Sequence, residues 1–214
     1  MVSKKKAQEM VAVMGRLFPD AHCELVFSSP LDLVIAVLLS AQATDVSVNK
    51  VTARLFVKYR RPEDYLAVSL EQLQDDIREI GLFRNKAKNI QALCRILLES
   101  YDGQVPGRFE DLVLLPGVGR KTANVVLSVG FGVPKIAVDT HVERVSKRLS
   151  MARIKDNVLE VEHELMRLLP ETSWSQAHHQ MIFFGRYFCT ARSPKCLDCP
   201  LIEDCRHGRK LLKS

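Results

Sequence analysis

Apolar residues recur at three- and four-residue steps along most of the chain, the period of helices with one buried face. In the first segment Ala7, Met10, Val11, Met14, Leu17 and Phe18 keep that spacing until Pro19 breaks it. Ser29 followed by Pro30 predicts an N-cap with proline in the first turn, opening a helix through "LDLVIAVLLSAQ". Another helix starts near Thr44 and Asp45 and ends before Pro62. Ser69 with Gln72 has the capping-box pattern for "LEQLQDDIREI", and Gly81 reads as its C-terminal glycine. "NKAKNIQALCRILLES" is amphipathic, and "KTANVVLSVG" closes at Gly130. Thr140 with Glu143, and Asn157 with Glu160, repeat the box pattern, and "WSQAHHQMIFFGRYF" is the last long segment. No segment alternates with period two, and "PKIAVD" at 134–139 is the one short extended candidate. The pattern predicts an all-α fold of about ten helices.

A chain of 214 residues can form one large domain or two small ones, with a sizeable core. Its 47% hydrophobic and 26% charged residues are those of a globular protein. The formal charge of +6 and pI near 9.1 suit a polyanionic partner such as nucleic acid. The run "LVIAVLL" at 33–39 is too short to span a bilayer, and "MVSKKKAQEM" lacks the apolar stretch of a secretory signal. A reducing cytoplasm is therefore expected, where six cysteines serve as thiols or metal ligands.

Residues 115–126, "LPGVGRKTANVV", put a proline and two glycines at a corner and a lysine on the first turn of the next helix. A nucleotide phosphate loop fails, because Arg120 separates glycine from lysine and no strand precedes. An ordinary helix-to-helix turn containing Gly-Val-Gly competes with a helix-hairpin-helix, "LVLLPGVGRKTANVV". In the hairpin, glycines let the backbone approach a DNA phosphate and the helix N-terminus supplies N–H donors. That explains the corner but not Lys121. A lysine of structural purpose sits better at the opposite helix end. Beside Arg120 at a helix N-terminus an ammonium is disfavoured, and a partly neutral amine is a nucleophile able to form a Schiff base with a sugar carbon. It needs an acidic group to move protons and stabilise charge, and Asp139 in "AVDTHVERV" is the candidate. Asp139 also reads as a helix N-cap, and the two roles are compatible. "IGLFRNKAKNI" at 80–90 loosely echoes the motif, which makes Lys86 a rival nucleophile, though without the second glycine or an equivalent aspartate.

Cys189, Cys196, Cys199 and Cys205 follow a C-x6-C-x2-C-x5-C spacing that marks a metal site. Spacing alone leaves zinc and an iron–sulfur cluster both open. The loop "TARSPK" carries Arg192 and Lys195, which a cluster could hold toward a phosphate backbone. Cys23 and Cys94 read as ordinary core or part-buried residues.

The hairpin lysine, the downstream aspartate and the cysteine quartet, together with "LLSAQATDVSVNK" at 38–50, resemble the endonuclease III family of DNA base-excision glycosylases. The likeness covers essentially the whole chain. It implies two helical domains with the active site in the cleft between them. One is a six-helix barrel at 22–133 with the hairpin at about 108–130; the other joins 1–21 to 134–214. By the resemblance Cys189, Cys196, Cys199 and Cys205 hold a [4Fe-4S] cluster, which decides iron over zinc. Lys121 matches the nucleophile that attacks C1′ and goes on to β-elimination, and Asp139 the catalytic aspartate. The implied partner is duplex DNA containing oxidised pyrimidines or abasic sites. A flipped base leaves a gap, which Gln42 and Leu82 with Ile80 would fill. Leu82 has a second reading, the apolar contact that follows a C-cap glycine. DNA contacts are expected from Gly117, Gly119, Arg120 and Thr122 of the hairpin and from Arg192 and Lys195. A monovalent cation is expected on the carbonyls of Val113, Leu115 and Val118.

A monomer, off the membrane and in the cytoplasm on the nucleoid, completes the expectation. His141 could line the pocket, whereas His178 and His179 read as surface or packing residues. Rival readings are an adenine-mismatch glycosylase and a catalytically silent DNA-binding protein with an iron–sulfur or structural zinc site. The former class lacks the lysine and adds a C-terminal domain.

Overall fold

The protein, as a computed structural model, is described over residues 1–211; the last three residues of the expected second domain, 212–214, lie outside the described residues. Among the described residues the fold is helical throughout, with no strand. The chain forms two compact units, Met1–Cys23 with Pro134–Ser214, and Glu24–Val133.

The first unit begins with α1 (Lys4–Leu17), whose N-cap Ser3 accepts from the Lys6 N–H. The second unit is built around α2 (Pro30–Ser40). Ser29 accepts from the Asp32 N–H at 3.1 Å, and Asp32 in turn accepts from the Ser28 N–H at 3.0 Å, so the helix start is fixed twice. Leu33, Val34, Ile35, Ala36 and Leu39 are fully buried, so this helix is apolar on every side and shows no polar face. Around it lie α3 (Asp45–Lys58), α4 (Pro62–Leu66), α5 (Leu70–Asp76), α6 (Phe83–Ser100), α7 (Phe109–Leu112) and α8 (Arg120–Val125), the last running on as a π-helical turn to Gly130. Helix α2 packs on α3, α6, α8 and that turn.

The remainder of the first unit holds α9 (Thr140–Arg148), α10 (Val158–Leu168), α11 (Trp174–Phe183) with a π-helical extension Phe184–Phe188, and α12 (Gly208–Leu211). Met10 and Met14 of α1 share one core with Val142, Val145, Val161, Leu165, Met181 and Phe184. The Val2 N–H donates to Ser150 O at 3.0 Å, tying the start of the chain to the end of α9.

Four local expectations change. Gln72 does not complete the box: Ser69 caps α5, but the Gln72 amide donates to Asp76 instead. Helix α5 ends at Asp76, and Gly81 is not left-handed; Leu82 is, at φ +60°. Thr140 is the first residue of α9 rather than its cap, because Asp139 takes that place and Glu143 pairs with Lys147. "PKIAVD" is irregular, with Ile136, Ala137 and Val138 buried.

Candidate active site and metal centre

Residues 109–125 form a hairpin of two short helices, α7 and α8. Leu112, Leu115, Val118 and Ala123 are buried and lock them together. Gly117 at the corner has φ +79°, and a Cβ there would lie 2.8 Å from Leu38 Cδ1 and 2.9 Å from Asn89 Nδ2. Both the backbone sign and the space require glycine. Gly117, Gly119, Arg120 and Lys121 are exposed on this corner and Thr122 is half-buried. No side chain caps α8, which leaves its mouth open to an anion. The Arg120 guanidinium sits 5.0 Å from the Phe109 ring centre, bracing one hairpin helix against the other.

Asp139 is the N-cap of α9: one oxygen, Oδ1, accepts from the His141 and Val142 N–H groups, both at 2.8 Å. The other carboxylate oxygen stays outside the cap. His141 is half-buried and burial pulls its pKa below the ordinary value. Arg144 donates to His141 Nδ1 at 3.1 Å, to Gly185 O at 2.8 Å and to Cys189 O at 3.1 Å. A Cβ on Gly185 would lie 2.8 Å from His141 Cβ, so only glycine lets the π-helical turn approach this helix start.

Gln42 and Leu82 are both non-glycine residues in the left-handed region, at φ +58° and +60°. Such positions are uncommon and gather where a surrounding structure enforces them. Both are exposed, Leu82 by 57%. Ile80 is buried, 1% exposed, so it anchors the turn from inside and is not a surface wedge. Lys86 is buried too, and its ammonium nitrogen donates to Leu39 O and Ala41 O. Such an amine cannot reach a sugar, which removes it as the rival nucleophile.

Cys189, Cys196, Cys199 and Cys205 line one cavity. No disulfide joins them. Burial and neighbouring thiols raise Cys196 and Cys199 above the ordinary thiol range, so four thiolates gathered here need a cationic group to offset their charge. Four thiols around one cavity, none of them in a disulfide, suit a thiolate-held metal centre, for which both zinc and an iron–sulfur cluster are chemically acceptable. Two donors face the sulfurs: Arg148 Nη1 to Cys189 Sγ at 3.2 Å and the Gly208 N–H to Cys205 Sγ at 3.4 Å. Arg148 also donates to Thr190 O at 2.9 Å and Ala191 O at 3.2 Å, gripping the loop after the first cysteine. Arg192 and Lys195 are exposed, with Lys195 Nζ 5.9 Å from the Phe188 ring centre. Cys94 lies apart in the core, its thiol pushed up to about 12 by burial, and Cys23 is half-buried.

Sequence reasoning missed Arg144 and Arg148. Their signal is faint: two arginines four apart on one helix face, started by the candidate aspartate.

Residues 35–171 match the model of the HhH-GPD superfamily of base excision DNA repair proteins, and residues 189–205 match the iron–sulfur binding domain of endonuclease III. Endonuclease III of Bacillus subtilis (strain 168) is 61% identical over 98% of this chain and 96% of its own. A trapped endonuclease III–DNA covalent intermediate has a TM-score of 0.97 at 60% identity, covering 99% of this chain and 100% of that one. A non-covalent endonuclease III–DNA complex gives 0.97 at 59%, covering 100% of both. The chain therefore belongs to the endonuclease III family within the HhH-GPD superfamily of base excision DNA repair proteins, and Cys189, Cys196, Cys199 and Cys205 fall within that family's iron–sulfur domain.

Proposed function

We propose that Lys121 is the nucleophile, and Asp139 its acidic partner, in a DNA glycosylase/AP lyase that removes oxidised pyrimidines from duplex DNA and cuts at abasic sites. The observation that carries this is the contrast between the two candidate lysines. A relative of near-identical fold is trapped covalently on DNA; of the two lysines at glycine turns, Lys121 is exposed and Lys86 is buried on two carbonyls.

With the damaged base rotated out, the Lys121 amine attacks C1′, the C1′–N bond breaks, and the base leaves with a proton. The attached nitrogen gives up one proton, the C1′–O4′ bond then breaks with O4′ taking a proton, and the nitrogen keeps one N–H as a protonated Schiff base. Loss of a C2′ proton then expels the 3′ phosphate by β-elimination, and water releases the amine. Asp139 Oδ2, outside the cap, stabilises positive charge on the sugar and moves protons; the cap bonds to Oδ1 hold the carboxylate still. Gln42 and Leu82 occupy the vacated stack. The N–H groups around Gly117 and Gly119, with Arg120 and Thr122, bind backbone phosphate.

The [4Fe-4S] cluster on the four cysteines supplies a rigid tie for the loop carrying Arg192 and Lys195. A monovalent cation on the carbonyls of Val113, Leu115 and Val118 belongs to the same proposal; Leu115 O already accepts from the Val118 N–H at 3.0 Å and keeps one lone pair. So do the 22–133 and 1–21 plus 134–214 domain limits, a monomeric state and a cytoplasmic place on the nucleoid. Among the described residues no helix is long and apolar enough to cross a membrane.

Borohydride trapping on abasic-site duplex tests the proposal. Wild type is expected to cross-link and Lys121→Gln to lose the cross-link; undiminished trapping by Lys121→Gln would remove Lys121 from the reaction.

A further inference from the structure

Lys86 is the one buried lysine or arginine among the described residues, 5% exposed in the first turn of α6. Its Nζ donates to Leu39 O at 2.9 Å and to Ala41 O at 2.7 Å. Those carbonyls belong to the last turn and C-cap of α2, where no further helical N–H follows to satisfy them, and a cation there also opposes the helix dipole. Gln42 is the next residue. A bond from the Ala43 N–H to Ser40 O at 3.0 Å closes the turn around it. Through its backbone, Lys86 reaches the other strained position: its N–H donates to Leu82 O at 3.1 Å, and the Asn85 N–H to the same oxygen at 3.1 Å. One residue thus holds the flank of Gln42 by its side chain and Leu82 by its main chain. These are the two exposed left-handed residues to which a place in the base stack is given above. Burial lowers the Lys86 pKa, yet a neutral amine still has two N–H donors for the two carbonyls, so the tie survives loss of charge.

We infer that Lys86 is a positioning residue for base extrusion: it fastens the Gln42 turn to the Leu82 turn, so that both side chains enter the duplex as one preorganised pair. The inference rests on the reading of Gln42 and Leu82 as stack-filling residues, and its test separates the two failures. Single-turnover cleavage of abasic-site DNA is measured on duplex and on single-stranded substrate for wild type, Lys86→Met, Lys86→Gln, Gln42→Ala and Leu82→Ala. A single strand has no stack to fill, so its rate reports the Lys121 chemistry alone. Lys86→Met keeps the apolar stem as far as Cε and removes the amine that donates to both carbonyls. It is expected to lose about tenfold on duplex at sub-saturating enzyme while staying within about twofold of wild type on single strand. Lys86→Gln, whose amide reaches one carbonyl at most, should fall between. Combined with Gln42→Ala, Lys86→Met should cost less than the sum of the two, because both act through one contact.

Equal losses on the two substrates would make Lys86 merely structural and overturn the inference, as would a wild-type duplex rate. Should Gln42→Ala and Leu82→Ala leave duplex cleavage unchanged, the stack-filling reading fails and takes the inference with it. If they lose activity while the Lys86 variants do not, the inference alone fails. Should Lys86→Met not fold, the two-substrate comparison with Lys86→Gln decides in the same way.

Discussion

Asp139 caps α9, and the catalytic role proposed for it is compatible with that cap. Its Oδ1 satisfies two N–H groups at the mouth of α9, and the cap fixes the carboxylate plane for whatever Oδ2 meets. An asparagine can keep Oδ1 as acceptor and so preserve the cap, but it carries no charge and cannot take a proton. Asp139→Asn is therefore expected to retain the helix and DNA affinity while turnover falls by about 10²-fold or more. Circular dichroism, a binding titration and single-turnover kinetics together check this, and a loss of folding would show that the cap dominates. The two lysines make the same point from the other side. "GVGRK" and "GLFRNK" read alike as glycine turns that open a helix, yet one amine is exposed and the other is buried on α2 carbonyls. Which lysine is which depends on what packs over the turn, and no local pattern contains that.

Among the helices and turns, local chemistry was readable where a side chain caps its own helix. Ser29 with Pro30, Thr44, and the reciprocal pair Asn157 and Glu160 all act where the sequence places them. Reading failed where tertiary packing overrides the nearest residue. Gly81 looks like the left-handed residue because glycine pays no steric penalty there, but Leu82 adopts it, with Ile77 and Ile80 buried just before Gly81 to hold the turn. The π-helical turns after α8 and α11 left no mark in the hydrophobic period, since each is five residues long and closes its helix, too short to set a new phase. The hairpin corner was readable and is also fragile. Gly117→Ala adds a methyl 2.8 Å from Leu38 Cδ1 at a φ of +79°, and is expected to destabilise the protein by about 1–3 kcal/mol. Chemical denaturation would check it, with Gly119→Ala as control, since nothing lies within 4 Å of a Cβ there.

Over the full chain, periodicity shows that α1 has an apolar stripe but not that its mates are α10 and α11, far along the sequence. That assignment entered through family resemblance. The first unit also contains a pH-sensitive element. Burial and the neighbouring His22 lower His179 from an ordinary value of 6.5 to about 4. Between these values the unfolded chain binds a proton that the folded state refuses, so stability rises with pH across the window and is lost as pH falls from 6.5 toward 4. Wild type is expected to show a falling Tm over that interval and His179→Gln a flatter profile; parallel profiles would place the sensitivity elsewhere.

The identity of the attacking amine is tested most directly by mapping the adduct. Borohydride-reduced enzyme on abasic-site duplex, digested with trypsin and nuclease, should carry the sugar remnant on one peptide. Modification at Lys121 blocks cleavage after it, so the expected product begins at Lys121 and runs to Lys135, "KTANVVLSVGFGVPK". A remnant on a peptide containing Lys86, or on any amine other than Lys121, would contradict the assignment.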